Sequence, residues 1–139
     1  MENHTIPQLN ALILSLEEEL SHLEEPMSSL TIALEKILVC QKSLEDFGSD
    51  HTEIMAPLTS LVYSKGTLVN PNFVLVDIGT GYHILKTIPQ ASDYYSRKAS
   101  FVENQISLLH SEINAKKKYL SNVYSHLDRK LNCIKTEKN

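Results

Sequence analysis

The chain has 139 residues, 13 Lys and Arg against 17 Asp and Glu for a net charge of −4, four Gly, no Trp and two Cys. That length allows one domain, and the scarcity of Gly and aromatics fits long helices better than a sandwich or barrel. No apolar run approaches the roughly 18 residues of a membrane span, and Met1-Glu2-Asn3-His4 lacks the basic start of a secretory signal.

The first predicted element is a helix over about residues 6–47. Thr5 is its candidate cap, Pro7 lies in its first turn, and Gly48-Ser49-Asp50 is its expected stop. Along it, Leu9, Ile13, Leu16, Leu20, Leu23, Met27, Leu30, Leu34, Ile37, Gln41 and Leu44 alternate steps of four and three. An apolar residue every 3.5 positions is the pattern of a coiled coil. Pro26 falls inside this ladder, where it removes a backbone hydrogen bond, and predicts a bend or loosened packing.

The middle segment, about residues 52–87, changes period. Ile54–Leu58 and Leu61–Tyr63 read as a hairpin turning at Thr59-Ser60, with Lys65-Gly66 breaking or bulging its second strand. After the loop Asn70-Pro71-Asn72, the runs Phe73–Ile78 and Tyr82–Thr87 read as a second hairpin closed by Gly79-Thr80-Gly81. Two isolated hairpins are only marginally stable in water, and an unpaired apolar edge invites pairing with another chain. The segment is therefore predicted to be an assembly interface. Its candidate residues are Leu58, Leu61, Val62, Tyr63, Leu68, Val74, Leu75, Val76, Ile78, Tyr82 and Ile84.

A second helix is predicted over about residues 90–135, entered through Thr87-Ile88-Pro89-Gln90. Its ladder is Tyr95, Ala99, Val102, Ile106, Leu109, Ile113, Lys116, Leu120, Val123, Leu127, Lys130 and Ile134. Paired antiparallel, the ladders bring Leu9 near Leu131 and Leu44 near Tyr95, giving an α+β fold: a long antiparallel coiled-coil hairpin with two β-hairpins between its helices. Residues 1–50 carry ten acids and two Lys (net −8), and residues 88–139 nine basic and five acidic residues (net +4). The same register sets Glu17-Glu18-Glu19 and Glu24-Glu25 against Lys116-Lys117-Lys118, with Lys116 opposite Leu23. Opposite charges flanking a seam select partner and orientation, so the lysines read as intramolecular rather than as a nucleic-acid patch.

The free end of the hairpin gathers Ile6, Pro7, Leu9 and Leu12 with Leu127, Leu131 and Ile134. Either these finish the seam, or fraying exposes them as a client-binding tip, each contact weak and several tips acting together. Leu12→Ser with Leu131→Ser is expected to weaken capture and spare assembly.

Chemistry has little foothold. Gly79-Thr80-Gly81 lacks the spacing and following Lys-Ser/Thr of a phosphate loop. His4, His22, His51, His83, His110 and His126 are scattered, and Cys40 and Cys133 lie far apart in the proposed register. Asn3-His4-Thr5 fits a glycosylation pattern expected to stay silent without a secretory signal. No catalytic residues, cofactor or metal are expected.

The middle segment also resembles a known family. Ala56-Pro57-Leu58-Thr59-Ser60, Tyr63, Lys65-Gly66, Leu68, Val74-Leu75-Val76-Asp77-Ile78-Gly79-Thr80-Gly81-Tyr82, Lys86-Thr87, Ala91, Tyr94-Tyr95, Arg97-Lys98 and Phe101 are similar to the α-class of prefoldins. Pro7-Gln8-Leu9 and the Pro-Leu-Thr-Ser turn point to one branch of its eukaryotic members. The resemblance implies a cytoplasmic, non-enzymatic holdase subunit. It would assemble with one more α-class and four β-class chains, grip non-native actin, tubulin and other clients, and deliver them to the cytosolic chaperonin without ATP, with no nucleic acid, membrane or cofactor. The competing expectation is a self-assembling coiled-coil tether whose hairpins form a homo-oligomer interface.

Overall fold

The computed structural model describes residues 4–47 and 52–137. In chain order the elements are α1 (Ile6–Asp46), β1 (Glu53–Pro57), β2 (Tyr63–Thr67), β3 (Phe73–Gly79), β4 (Tyr82–Thr87) and α2 (Ile88–Glu137). Two long helices thus bracket two antiparallel β-hairpins, the α+β arrangement expected from the alternation of period. The expected stop at Gly48-Ser49-Asp50 lies outside the described residues.

Both helices start on the same four residues. In Thr5-Ile6-Pro7-Gln8, the Thr5 N–H donates to Gln8 Oε1 at 2.8 Å. In Thr87-Ile88-Pro89-Gln90, the Thr87 N–H donates to Gln90 Oε1 at 3.1 Å and the Gln90 N–H to Thr87 Oγ1 at 3.4 Å. This is a capping box, with Pro in the first turn where a missing N–H leaves no helical bond unmade. Sequence reasoning noticed the two prolines and missed the repeated box.

The chain divides into two compact units, residues 1–33 with 102–139 and residues 34–101. In the first, the outer parts of α1 and α2 pack along their ladders. Leu9, Ile13, Leu16 and Val123 form a buried cluster, with Leu12, Leu120 and Leu127 packed against it. Every ladder position of α1 is buried or half-buried, and on α2 only Ile134 is exposed. Burying one such side chain contributes about 1.5–3 kcal/mol, so the seam, repeated turn after turn, carries the stability of this unit.

Charge follows the expected register. Lys116 is half-buried in the seam, and its ammonium reaches one turn along to Glu19 at 2.5 Å. Lys117 pairs with Glu24 at 3.4 Å, and the Tyr124 hydroxyl donates to Glu17 at 2.6 Å. The carboxylate of Glu19 holds the Lys116 ammonium above its ordinary pKa, and Glu17 does the same for the Tyr124 phenol. Pro26 does not end α1, which is helical on both sides of it. Of the bend or loosened packing expected there, the burial bears on the second: Leu23, Met27 and Leu30 around it are half-buried, whereas Leu9, Ile13, Leu16 and Leu20 are buried, and half-burial recurs at Leu34, Gln41 and Leu44 away from the proline.

In the second unit the hairpins form separate two-stranded sheets. The first pairs Glu53 with Thr67 through Pro57 with Tyr63 without a register shift. Lys65-Gly66 therefore neither breaks nor bulges β2, and Gly66 pairs with Ile54; Leu61 and Val62, expected in the strand, belong to the turn. That turn is closed by Leu58 N–H donating to the Val62 carbonyl at 2.8 Å, and by Thr59 Oγ1 accepting from Leu61 and Val62. A side-chain hydroxyl that satisfies two turn amides competes with extension of the ladder, which is why the strand starts two residues later.

The second hairpin pairs Phe73 with Thr87 through Asp77 with His83, then shifts at a bulge so that Gly79 faces Tyr82. Gly79, Thr80 and Gly81 all have positive φ, at 111°, 51° and 79°. Asp77 Oδ1 accepts the Gly79 N–H at 2.9 Å and holds the bulge. β4 runs directly into α2, and Lys86 and Lys98 both lie over the Tyr94 ring, 5.8 and 5.5 Å from its centroid. These cation–π contacts tie the end of the hairpin to the first turns of α2.

Candidate assembly and client-binding surfaces

Strand alternation sorts the hairpin residues into two groups. On β3, Val74 is half-buried and Val76 only 1% exposed, whereas Leu75 between them is 67% exposed. Residues opposite each other in an antiparallel pair share a face, so Ile84 lies with Val76, and Leu85 lies with Leu75. One face of the second hairpin is therefore sheltered at Val74 and Val76, although Ile84 on it stays exposed, and the other offers Phe73, Leu75 and Leu85 to solvent. Val76 is thus a core residue of its own chain and presents no side chain to another.

Among the other assembly candidates, Leu58, Leu61, Val62, Tyr63, Leu75, Ile78, Tyr82 and Ile84 are exposed, and Leu68 is half-buried. Leu61 is 90% exposed. Sequence reasoning passed over Val69, which is 91% exposed, and Met55, Phe73 and Leu85, which are exposed as well. The signal for the last two was available: a strand apolar on both faces has a second apolar face by definition. So many large apolar side chains open to water on two short hairpins mark an interaction surface. Tyr95, at the start of the α2 ladder, is pushed above its ordinary pKa by burial first and by the neighbouring Cys40 thiol second.

The seven tip candidates divide as well. Leu9 is fully buried in the seam cluster, and Leu12 and Leu127 pack against that cluster, half-buried. Ile6 is half-buried; Pro7, Leu131 and Ile134 are exposed. The surface available to a client at this end is therefore narrower than the sequence list, and is centred on Pro7, Leu131 and Ile134. Beside it lies an open groove lined by His4, Thr5, Ile6, His126, Arg129, Lys130, Cys133 and Ile134.

Among the described residues no group of three or more His, Cys, Asp or Glu is placed to hold a metal, and no helix is long and apolar enough to cross a membrane. Cys40 and Cys133 are both free and exposed.

Comparison of the sequence with known proteins identifies the family. The Prefoldin family model, described as prefoldin subunit, matches residues 16–132, and the chain belongs to that family. It is a family of chaperone co-factor subunits and not of enzymes. Similar relatives include probable prefoldin subunit 5 of Schizosaccharomyces pombe, 32% identical over 91% of this chain and 84% of the relative. Prefoldin subunit 5 of Arabidopsis thaliana is 34% identical over 85% and 79%, and that of Homo sapiens 30% over 80% and 73%. Subunit 5 is the branch to which Pro7-Gln8-Leu9 and the Pro-Leu-Thr-Ser turn pointed. A solved chain of filamentous PFD from Methanocaldococcus jannaschii is 17% identical, with a TM-score of 0.45, over 89% of this chain and 93% of that one.

Proposed function

We propose that this chain is the α-class member of a six-chain, ATP-independent holdase, assembled through its hairpins with one more α-class and four β-class prefoldin subunits. In the cytoplasm it would hold non-native proteins such as actin and tubulin at the end of its coiled coil and hand them to the cytosolic chaperonin. The observation that carries the reading is the outward apolar face of the hairpins. Leu75 and Tyr82 are exposed on strands that have no third strand to pair with among the described residues, and Leu61 and Val69 are exposed in the segments flanking β2. Strands of this kind are satisfied by strands from other chains. The narrow apolar end at Pro7, Leu131 and Ile134 supports weak, adaptable contact with unfolded chains, amplified when several subunits act together.

Native mass spectrometry of the tagged chain recovered from its own cells tests this. A complex of six chains of similar mass, two of them α-class, is the expected result. A homo-oligomer, or a pair with one folded partner, would replace the holdase with a tether.

A further inference from the structure

The turn of the second hairpin holds a residue whose presence its own chain does not account for. Thr80 sits at a φ of 51°, between Gly79 at 111° and Gly81 at 79°. In that left-handed region a β-branched side chain crowds the backbone, and Gly, Asn or Asp would sit there at lower cost. The turn is nevertheless firmly set. Asp77 Oδ1 accepts the Gly79 N–H at 2.9 Å, His83 Nδ1 lies 3.2 Å from the Gly81 carbonyl oxygen, and the bulge places Gly79 opposite Tyr82. A costly conformation persists where its surroundings over-determine it, and such conformations concentrate at functional sites. The Thr80 hydroxyl, meanwhile, serves nothing in its turn. In the first hairpin the turn threonine, Thr59, uses its hydroxyl to accept from the Leu61 and Val62 amides. Thr80 makes no comparable bond among the described residues, and it is exposed, with Ile78 and Tyr82 exposed on either side.

We infer that Thr80 is a specificity-determining contact residue of the assembly. Its hydroxyl bonds a main-chain group on the strand edge of a neighbouring prefoldin subunit, and its methyl, Ile78 and Tyr82 pack beside that edge. This contact rests on the hairpin assembly proposed above and adds the residue that recognises the neighbour. A strand edge carries a row of unpaired N–H and C=O groups, and a hydroxyl can donate to one or accept from the other. The rigid turn holds that hydroxyl in place before contact, so little freedom is lost when the bond forms. Residues that suit the backbone better do not supply the same group: Gly has no side chain, and the Asn amide is longer, planar and without a methyl. Threonine here exchanges stability of the free chain for contact in the complex.

The test sets stability against incorporation. Thr80→Asn relieves the backbone, whereas Thr80→Val keeps the branched shape and replaces only the hydroxyl, by a methyl. Each tagged variant is expressed beside differently tagged wild type in the cells the chain comes from. Native mass spectrometry reads the share of each in the multi-chain complex, and thermal unfolding of the purified chain reads stability. Thr80→Asn is expected to melt roughly 4 °C above wild type and yet to enter the complex about tenfold less. Thr80→Val should enter about tenfold less without melting higher. Incorporation of Thr80→Val at the wild-type level overturns the inference, because only the hydroxyl has gone. So does incorporation of Thr80→Asn at or above wild type, which would make Thr80 a turn residue and nothing more. Both outcomes leave the assembly reading standing, since wild type still enters the complex; a wild type that joins no other prefoldin subunit overturns the two together.

Discussion

Two residues in the second hairpin show how local geometry constrains side-chain choice. Thr80 is a β-branched residue at a φ of 51°, a region that favours glycine, asparagine and aspartate. Gly79 at 111° is in a conformation closed to other residues, although a Cβ there would meet open space. The penalty for a side chain at Gly79 therefore comes from the backbone alone. We expect Gly79→Ala to lower unfolding stability by about 1–2 kcal/mol and Thr80→Asn to raise it by about 1 kcal/mol, read by urea or thermal unfolding of the chain. Gly66 differs: its backbone is ordinary, and a Cβ would sit 3.8 Å from Ile54 Cγ1 in normal contact. The sequence suggested a break or bulge at Gly66 and a turn at Gly79 and Gly81, and the backbone angles show that only the last two of these need glycine.

At the scale of the elements, α1 and α2 were legible as helices because their apolar ladders run for many turns, and the ladder positions proved to be the sheltered ones. What periodicity could not show is how the seam deals with Pro26. A proline inside a helix costs about 3 kcal/mol, and here α1 continues through it because ladder positions on both sides remain in the seam. Pro26→Ala is accordingly expected to raise helicity by circular dichroism and to stabilise the chain by up to about 3 kcal/mol. The links between the arms lead to a pH effect. Lys116 and Tyr124 both have pKa values raised above their ordinary 10.5 and 10.0, the first chiefly by its hydrogen bond to Glu19 and the second by its bond to Glu17. A raised pKa in the folded state stabilises it while the group is protonated. That contribution is whole below about pH 10 and is lost as pH rises through the folded values. Melting temperature should fall above about pH 10 more steeply in the wild type than in Lys116→Met with Tyr124→Phe; parallel profiles would mean these links carry no stability.

For the molecule as a subunit, the useful distinction lies between hairpin residues that hold the chain and those that face outward. Val76→Lys buries a charge at a position only 1% exposed, so it is expected to unfold the hairpin and to reveal nothing specific about assembly. Leu75→Lys changes the neighbouring, exposed side chain. It should leave the melting temperature of the isolated chain within about 0.5 kcal/mol of wild type in stability terms while it abolishes the multi-chain complex by size exclusion. Persistence of the complex would remove Leu75 from the assembly surface. At the other end, the double change Leu12→Ser and Leu131→Ser is a poor probe of client capture, because Leu12 packs on the Leu9, Ile13, Leu16 and Val123 cluster. Leu131→Ser with Ile134→Ser removes two exposed side chains and is expected to weaken suppression of client aggregation while the chain stays folded.

By itself the sequence determined the order of elements, the antiparallel register and the charge pairing of the arms. These follow from spacing: a period of 3.5 sets which residues meet, and opposite charge clusters allow few alignments. The motif run from Val74 to Tyr82 also pointed to the family. Tertiary structure alone decided which apolar residues are sealed and which are offered. Val76 and Leu75 are adjacent and equally hydrophobic, yet one is core and the other surface, because the face a strand turns inward depends on what packs against it. Leu9 is sealed and Leu131 open for a reason that periodicity already held: Leu9 is a ladder position, whereas Leu131 falls between the ladder positions Lys130 and Ile134. The groove at this end was invisible in the sequence, since His4 and Arg129 are 125 positions apart and line it together only when the arms close.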